Sequence, residues 1–128
     1  MRVLLILVVL IFSASSVFAE IPKAQTPLSR KAQKLRMGMS KASVIRMFGK
    51  PTWAIIPGDK DGDYDILMGD MVLELQWDNG SCVPVAVSFD IQMEVIGWDE
   101  GRLCLDKPVF NPPDEWKCSA PTRAKYCK

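Results

Sequence analysis

The sequence predicts an α+β domain in which two short N-terminal helices pack on one face of a three- or four-stranded antiparallel sheet, followed by a disulfide-tethered C-terminal coil. Three observations carry this expectation. A helix with both ends marked lies between Ser40 and Gly49, and period-two apolar patterns recur from Met71 to Trp98 around strong turn signals. Beyond Leu105, Pro108, Pro112, Pro113 and Pro121 interrupt regular structure while Cys118 and Cys127 remain to tether it.

The helices come first. Pro27 opens a first helix running to Leu35, with Leu28, Ala32 and Leu35 on one side, and Gly38 separates it from the second. Ser40 is the N-cap of that second helix, since its hydroxyl can accept from an otherwise unpaired first-turn amide. Met39 and Val44 are spaced for a hydrophobic staple, although Ser43 leaves the reciprocal capping box unmade. Ala42, Val44, Ile45 and Phe48 form the apolar side, and Lys41 and Arg46 face solvent. Gly49 suits the left-handed position that ends a helix, and Pro51 forbids its continuation. At about two and a half turns the helix is too short to stand alone and must lie against the β-rich half that follows.

Residues 52–56 read as an irregular or extended connection, and a strand is expected through Ile66 and Met68. Met71 to Trp77 is a better strand, with Met71, Leu73, Leu75 and Trp77 on one face and Glu74 and Gln76 pointing away. Asp78-Asn79-Gly80-Ser81 is a turn, and Val83, Val85, Val87 and Phe89 form the inward set of the next strand. Pro84 cannot donate to a ladder and therefore belongs at a strand end or sheet edge. A last strand is expected near Glu94 to Trp98. Trp77 and Trp98 read as core or cross-strand packing residues, with a peptide-binding surface that includes one of them as the alternative.

Met1-Arg2, the apolar run Val3 to Phe12 and the small-residue junction Val17-Phe18-Ala19 read as a secretory signal at 1–19, cut before Glu20. A flexible lead-in at 20–27, a domain at 28–104 and a Pro-containing coil at 105–128 follow, and the product is expected in the periplasm or secreted, soluble after cleavage. Export permits disulfides. Cys82, Cys104, Cys118 and Cys127 allow three pairings, of which Cys82 with Cys104 and Cys118 with Cys127 are favoured, the first because it flanks a hairpin and the second because it restrains the tail.

From Glu20 onward fifteen Lys or Arg balance fifteen Asp or Glu, but unevenly: residues 20–60 hold nine basic and two acidic side chains, residues 61–106 one basic and eleven acidic. Attraction within the fold is the ordinary consequence, and peripheral contact of the basic part with anionic membrane or an acidic protein the functional one. An exported chain without net basic charge is a poor nucleic-acid binder.

No cofactor or catalytic constellation is legible. The chain has no histidine and no C-x-x-C pair, which removes support for a His-containing zinc site, a thioredoxin-like centre and a histidine base. Asp59, Asp61, Asp63, Asp65 and Asp70 invite a calcium reading, yet the sixth loop position is Tyr64 rather than glycine and the twelfth is Asp rather than Glu. A solvated acidic loop is the better reading of 59–70.

The run Gly38-Met39-Ser40 through Gly49-Lys50-Pro51, followed by the hydrophobic strands Met71 to Trp77, Val85 to Asp90 and Glu94 to Trp98, resembles the SmpA/OmlA, BamE-like family of bacterial envelope domains over residues 28–99. The resemblance implies a noncatalytic module that docks to envelope proteins and supports outer-membrane protein assembly. It also implies a fold similar to β-lactamase inhibitory proteins, so enzyme inhibition is the competing function. The chain departs from the family pattern in lacking a lipoprotein cysteine at the cleavage junction, in its long acidic insertion and in its four cysteines.

Overall fold

The computed structural model describes residues 26–57, 70–80, 83–101 and 112–128. The leader, most of the lead-in, the expected strand at 64–68, the acidic residues 59–69, and Cys82 and Cys104 lie outside the described residues.

Helix α1 spans Pro27–Ala32 and α2 spans Lys41–Phe48. Four antiparallel strands, β1 (Trp53–Ile55), β2 (Leu73–Trp77), β3 (Val85–Phe89) and β4 (Val95–Asp99), stand in that order. The α+β class and the helix pair against an antiparallel sheet are therefore as expected, but the first strand is not. It is the segment 53–55, read from sequence as a connection, and it earns its strand geometry from β2 through the pairs Trp53 with Gln76, Ala54 with Leu75 and Ile55 with Glu74. Pro84 sits just ahead of β3, where its missing N–H costs the ladder nothing.

α1 begins at Thr26, whose Oγ1 accepts the Ser29 amide at 3.1 Å, with Pro27 in the first turn. It stops at Ala32, three residues short of the sequence expectation, although Leu35 is still buried. α2 matches its markers. Ser40 Oγ accepts the Ser43 amide at 3.2 Å, and Gly49, at φ 84°, closes the helix by donating its N–H to the Ile45 carbonyl at 2.7 Å. Val44 and Phe48 are buried, with Met39, Ile45 and Met47 packed partly against the same core. Two side chains are placed differently from expectation. Ala42 is exposed, because only one stripe of so short a helix meets the sheet, and Lys41 reaches the C-terminal segment rather than solvent.

Cross-strand pairing sorts the sheet into two faces, since directly opposed residues share a side. Ala54, Leu75, Val87 and Trp98 form one row, flanked by Leu73 with Phe89 and Val95, and by Trp77 with Val85. This face, with Ala32, Leu35, Val44 and Phe48 over it, is the main core. The second face carries the rows Trp53, Gln76, Ala86, Asp99 and Ile55, Glu74, Ser88, Gly97. Glu74 and Gln76 point away from the main core, as expected, but not into open solvent: Gln76 is 3 % and Ser88 5 % exposed, so the second face is covered as well.

The segments flanking the sheet in sequence close its two sides. Cys118 donates to the Thr52 carbonyl at 3.0 Å, Lys117 bridges Trp53, and the buried Arg123 gives its Nε–H to the Ala54 carbonyl at 3.0 Å, all along the outer side of β1. Where a coil was expected, the tail makes two 3-10 turns, Asp114–Trp116 and Ala124–Cys127, and the Cys118–Cys127 disulfide enters the main core. On the other side, Gly38 and Lys41 donate to the carbonyls of Val95 and Met93, and Val95 donates to Met39, each at 2.8 Å.

Gly101 is buried at φ 81°, and a Cβ there would stand 2.7 Å from the Val83 carbonyl oxygen and 2.9 Å from Asn79 Nδ2. At Gly49 the φ is similar but the surrounding space is open. Both alanine variants lose the left-handed backbone preference of glycine, roughly 1 kcal/mol, and only Gly101→Ala adds a backbone clash. Chemical denaturation is expected to place Gly101→Ala well below Gly49→Ala in midpoint; equal midpoints would remove the close approach at Gly101.

Candidate functional site

The motif residues singled out in the sequence come together as a structural unit. Met39 is half-buried, Val44 is fully enclosed, and Phe48 lies 5.0 Å, centroid to centroid, from Trp77 with the rings tilted by 38°. Trp77 donates its indole N–H to the Gly49 carbonyl at 3.0 Å, so the residue that ends α2 also anchors the end of β2, and Pro51 is buried beside it. Thr52 continues the junction: its amide donates to the Gln76 carbonyl at 2.8 Å and its hydroxyl accepts from Asp78 N–H at 3.0 Å. Gly38, Met39, Ser40, Val44, Ile45, Phe48, Gly49, Pro51 and Trp77 thus position the helix pair; none of them presents a reactive group.

Trp98 is the exception: it pairs across strands, one of the two forms of its reading, but it is not buried in the core. It stands opposite Val87 but is 37 % exposed. β4 is the last strand of the sheet, and a register shift between the pairs Ser88 with Gly97 and Phe89 with Val95 accommodates Ile96 as one extra residue, which returns Trp98 to the face that carries Val87 and Val95; at this edge its indole stays partly exposed. At the other end of the same hairpin Ile91 is 80 % exposed on a turn that Asp90 builds, its Oδ1 accepting the amides of Gln92 at 2.9 Å and Glu94 at 3.0 Å. Met93 completes that turn at φ 58°. Sequence reasoning missed Ile91, and the available signal was an apolar residue directly after the turn-forming Asp90. An open hollow of about 430 Å³ lies beside it, lined by Asp70, Met71, Val72, Asp90, Ile91 and Gln92.

Chemistry-bearing groups are sparse. Among the described residues no three Asp, Glu, Cys or His side chains gather to hold a metal. Of the proposed calcium residues only Asp70 is described, and it is exposed. Cys118 and Cys127 are bonded to each other, as favoured from sequence, while Cys82 and Cys104 lie outside the described residues. No helix among the described residues is long and apolar enough to cross a membrane.

Among the described residues the carboxylate with an upward shift is Glu74, on the second sheet face. Burial raises its pKa; a hydrogen bond from Gln76 Nε2 at 3.2 Å opposes the rise, and the charge of Asp99 adds to it. Because the folded state holds this proton more tightly than the unfolded chain, its contribution favours folding below the ordinary glutamate pKa and is lost as pH rises through the raised value. Glu74→Gln is therefore expected to flatten the fall in stability above pH about 4.3 and to leave the variant at least as stable as the parent at neutral pH. Urea midpoints measured across that range check it, and an unchanged pH slope would remove the assignment. Lys41 is shifted the other way: burial lowers its pKa, and its ammonium donates to the Tyr126 carbonyl at 3.0 Å.

No family model, curated protein or solved structure matches this chain.

Proposed function

We propose that this chain is a noncatalytic, exported protein-binding module that supports cell-envelope or outer-membrane protein assembly, with a BamE-like form of the α+β fold. The observation that supports the reading is the position of the motif from Gly38 to Pro51: it forms the capped helix that joins the helix pair to an antiparallel sheet, the architecture that the family resemblance implies. The contact surface is not an open sheet face, since the second face is covered. The β3–β4 hairpin is the better candidate, because it exposes Ile91 at its turn and Trp98 near the end of its last strand. Aromatic and aliphatic side chains of this kind, on a rigid hairpin, are what a partner's pocket takes up.

Photocrosslinking groups placed at Ile91 and at Trp98, with one at the exposed Lys125 as a control, test the assignment in the native envelope. Specific adducts from the hairpin positions to an assembly component are expected. Capture of a single hydrolase that the purified protein inhibits would replace the assembly role by inhibition. Failure to capture any protein, under conditions that trap known envelope complexes, would refute docking through this hairpin. Processing between Ala19 and Glu20 belongs to the same proposal; the intact mass of envelope-recovered protein is expected to begin at Glu20, and a species retaining residues 1–19 would overturn it.

A further inference from the structure

The two edge strands of the sheet are covered to different extents. Along β1 the tail occupies the outer side. Along β4 the cover stops partway. Gly38 and Lys41 donate to the carbonyls of Val95 and Met93, Val95 donates to Met39, and Ser40 makes an antiparallel bridge with Glu94. This strand-like cover ends at Gly38, whose φ of 81° turns Arg36 and Met37 away from β4.

The backbone groups beyond that point follow from the ladder. In an antiparallel pair the N–H and C=O of successive residues turn alternately toward the partner strand and away from it. Val95 turns its pair away from β3, to Met39 and Gly38. Ile96 and Gly97 share the place opposite Ser88, so the next residue with its groups turned outward is Trp98, opposite Val87. Among the described residues nothing accepts from the Trp98 N–H or donates to its C=O. Such a pair of groups is matched in spacing by the same pair on another extended chain.

The surroundings state what that chain must carry. The Trp98 side chain is exposed on the face it shares with Val87, and Met37 is exposed one residue before the end of the cover. On the opposite face of β4, Gly97 leaves room beside the edge. Arg36 is exposed where the cover stops, whereas β4 runs at its other end into Asp99 and Glu100. From Val85 to Glu100 the hairpin holds four acidic side chains, Asp90, Glu94, Asp99 and Glu100, and no basic one.

We propose that the outer edge of β4 at Trp98 takes up an extended segment of a partner protein as an added antiparallel strand, basic where it passes Asp99 and Glu100, apolar opposite Trp98, and acidic where it nears Arg36. The inference rests on docking through the β3–β4 hairpin and names what the partner brings there. Antiparallel addition continues the line of the cover, which already runs antiparallel to β4 at Ser40. Main-chain hydrogen bonds hold such a strand, and its alternate side chains select it.

The probe is a short capped peptide of alternating valine and threonine, with lysine at its N-terminal end and glutamate at its C-terminal end, titrated into the purified protein. Saturable amide shifts at Gly97, Trp98 and Asp99 and slowed hydrogen exchange of the Trp98 N–H are expected. Exchanging the two charged ends should weaken binding on the order of tenfold. N-methylation at one of two adjacent central residues should weaken it about tenfold and at the other leave it unchanged, because only one of those amides faces β4. Trp98→Pro, which removes the outward N–H at an edge position that tolerates proline, should bind more weakly than Trp98→Ala, with thermal midpoints showing that both fold. Absence of shifts at these residues, equal effects of the two N-methylations, or indifference to the charge exchange would each overturn the proposal. A dimer of the protein alone that gives the same shifts would overturn it too, assigning the edge to a second copy of this chain. Adducts from a photocrosslinking group at Ile91, without peptide shifts at Trp98, would strike the added strand and leave hairpin docking in place; absence of adducts from both Ile91 and Trp98 would strike the docking reading and the strand with it.

Discussion

Phe48→Ala is expected to lower the free energy of unfolding by about 3 to 5 kcal/mol, the range for removing a buried aromatic ring. The ring is 7 % exposed and lies against Trp77 in the core shared by helix and sheet. Truncation leaves a void on one side of the indole, whose N–H is held at the Gly49 carbonyl and limits its freedom to collapse into the space. The loss is therefore expected near the upper part of the range rather than the lower. Equilibrium denaturation followed by circular dichroism reads the loss. A loss below about 0.5 kcal/mol, the scale of a surface substitution, would show that Phe48 does not hold the helix to the sheet.

Removing the Cys118–Cys127 bridge as the double variant Cys118→Ala, Cys127→Ala has the second largest expected effect, about 2 to 4 kcal/mol. The loop closed by the bond spans a sequence separation of 9, for which restriction of the unfolded chain alone gives about 2.6 kcal/mol. Packing adds to it, because both cysteines are buried in the main core and the tail between them carries Arg123 to the Ala54 carbonyl. Substitution is cleaner than reduction, which would act on every cysteine of the chain. The check is a pair of urea titrations, with hydrogen exchange at Cys118 N–H and Ala54 N–H showing whether the tail opens separately. A double variant within 0.5 kcal/mol of the parent would mean that the hydrogen bonds alone hold the tail.

The helix α2 was legible because its information is local: Ser40, Gly49 and Pro51 act on amides and carbonyls within one turn of themselves. β2 and β3 were legible because Leu73, Leu75, Val85, Val87 and Phe89 alternate over long enough runs to show a period. β1 was not, since three residues cannot show alternation and its geometry comes from Glu74, Leu75 and Gln76 across the ladder. The burial of Gln76 was not legible for a related reason: polarity marks the face turned from the first core, and it carries no information on whether something else covers that face. Its Oε1 accepts no hydrogen bond although the side chain is buried, an arrangement that residue type alone argues against. Lys41 was assigned to solvent because its partner, the Tyr126 carbonyl, lies 85 residues away in sequence. Trp98 was read as a core or cross-strand packing residue; alternation from Val95 alone would turn it to the other face, and the extra residue accommodated on β4 brings it opposite Val87, where it stays partly exposed on the last strand.

The tail that runs along β1 has a consequence for the chain before its thiols are oxidised. Thr52 and Ala54 direct carbonyls outward to Cys118 and Arg123, and Trp53 pairs with Lys117, so the side of β1 that faces away from β2 is occupied from within the same molecule. With Cys118 and Cys127 reduced, the tail keeps those bonds only as well as a short, 3-10-rich segment can. Each time it lifts, a short apolar strand, Trp53-Ala54-Ile55, offers unpaired backbone to any neighbouring chain, which is the template on which intermolecular sheets grow. The bridge thus bears on colloidal behaviour as well as stability: the newly made, reduced protein is expected to be the more prone to self-pairing, because the bond that closes the tail on itself holds it in the shape that covers β1.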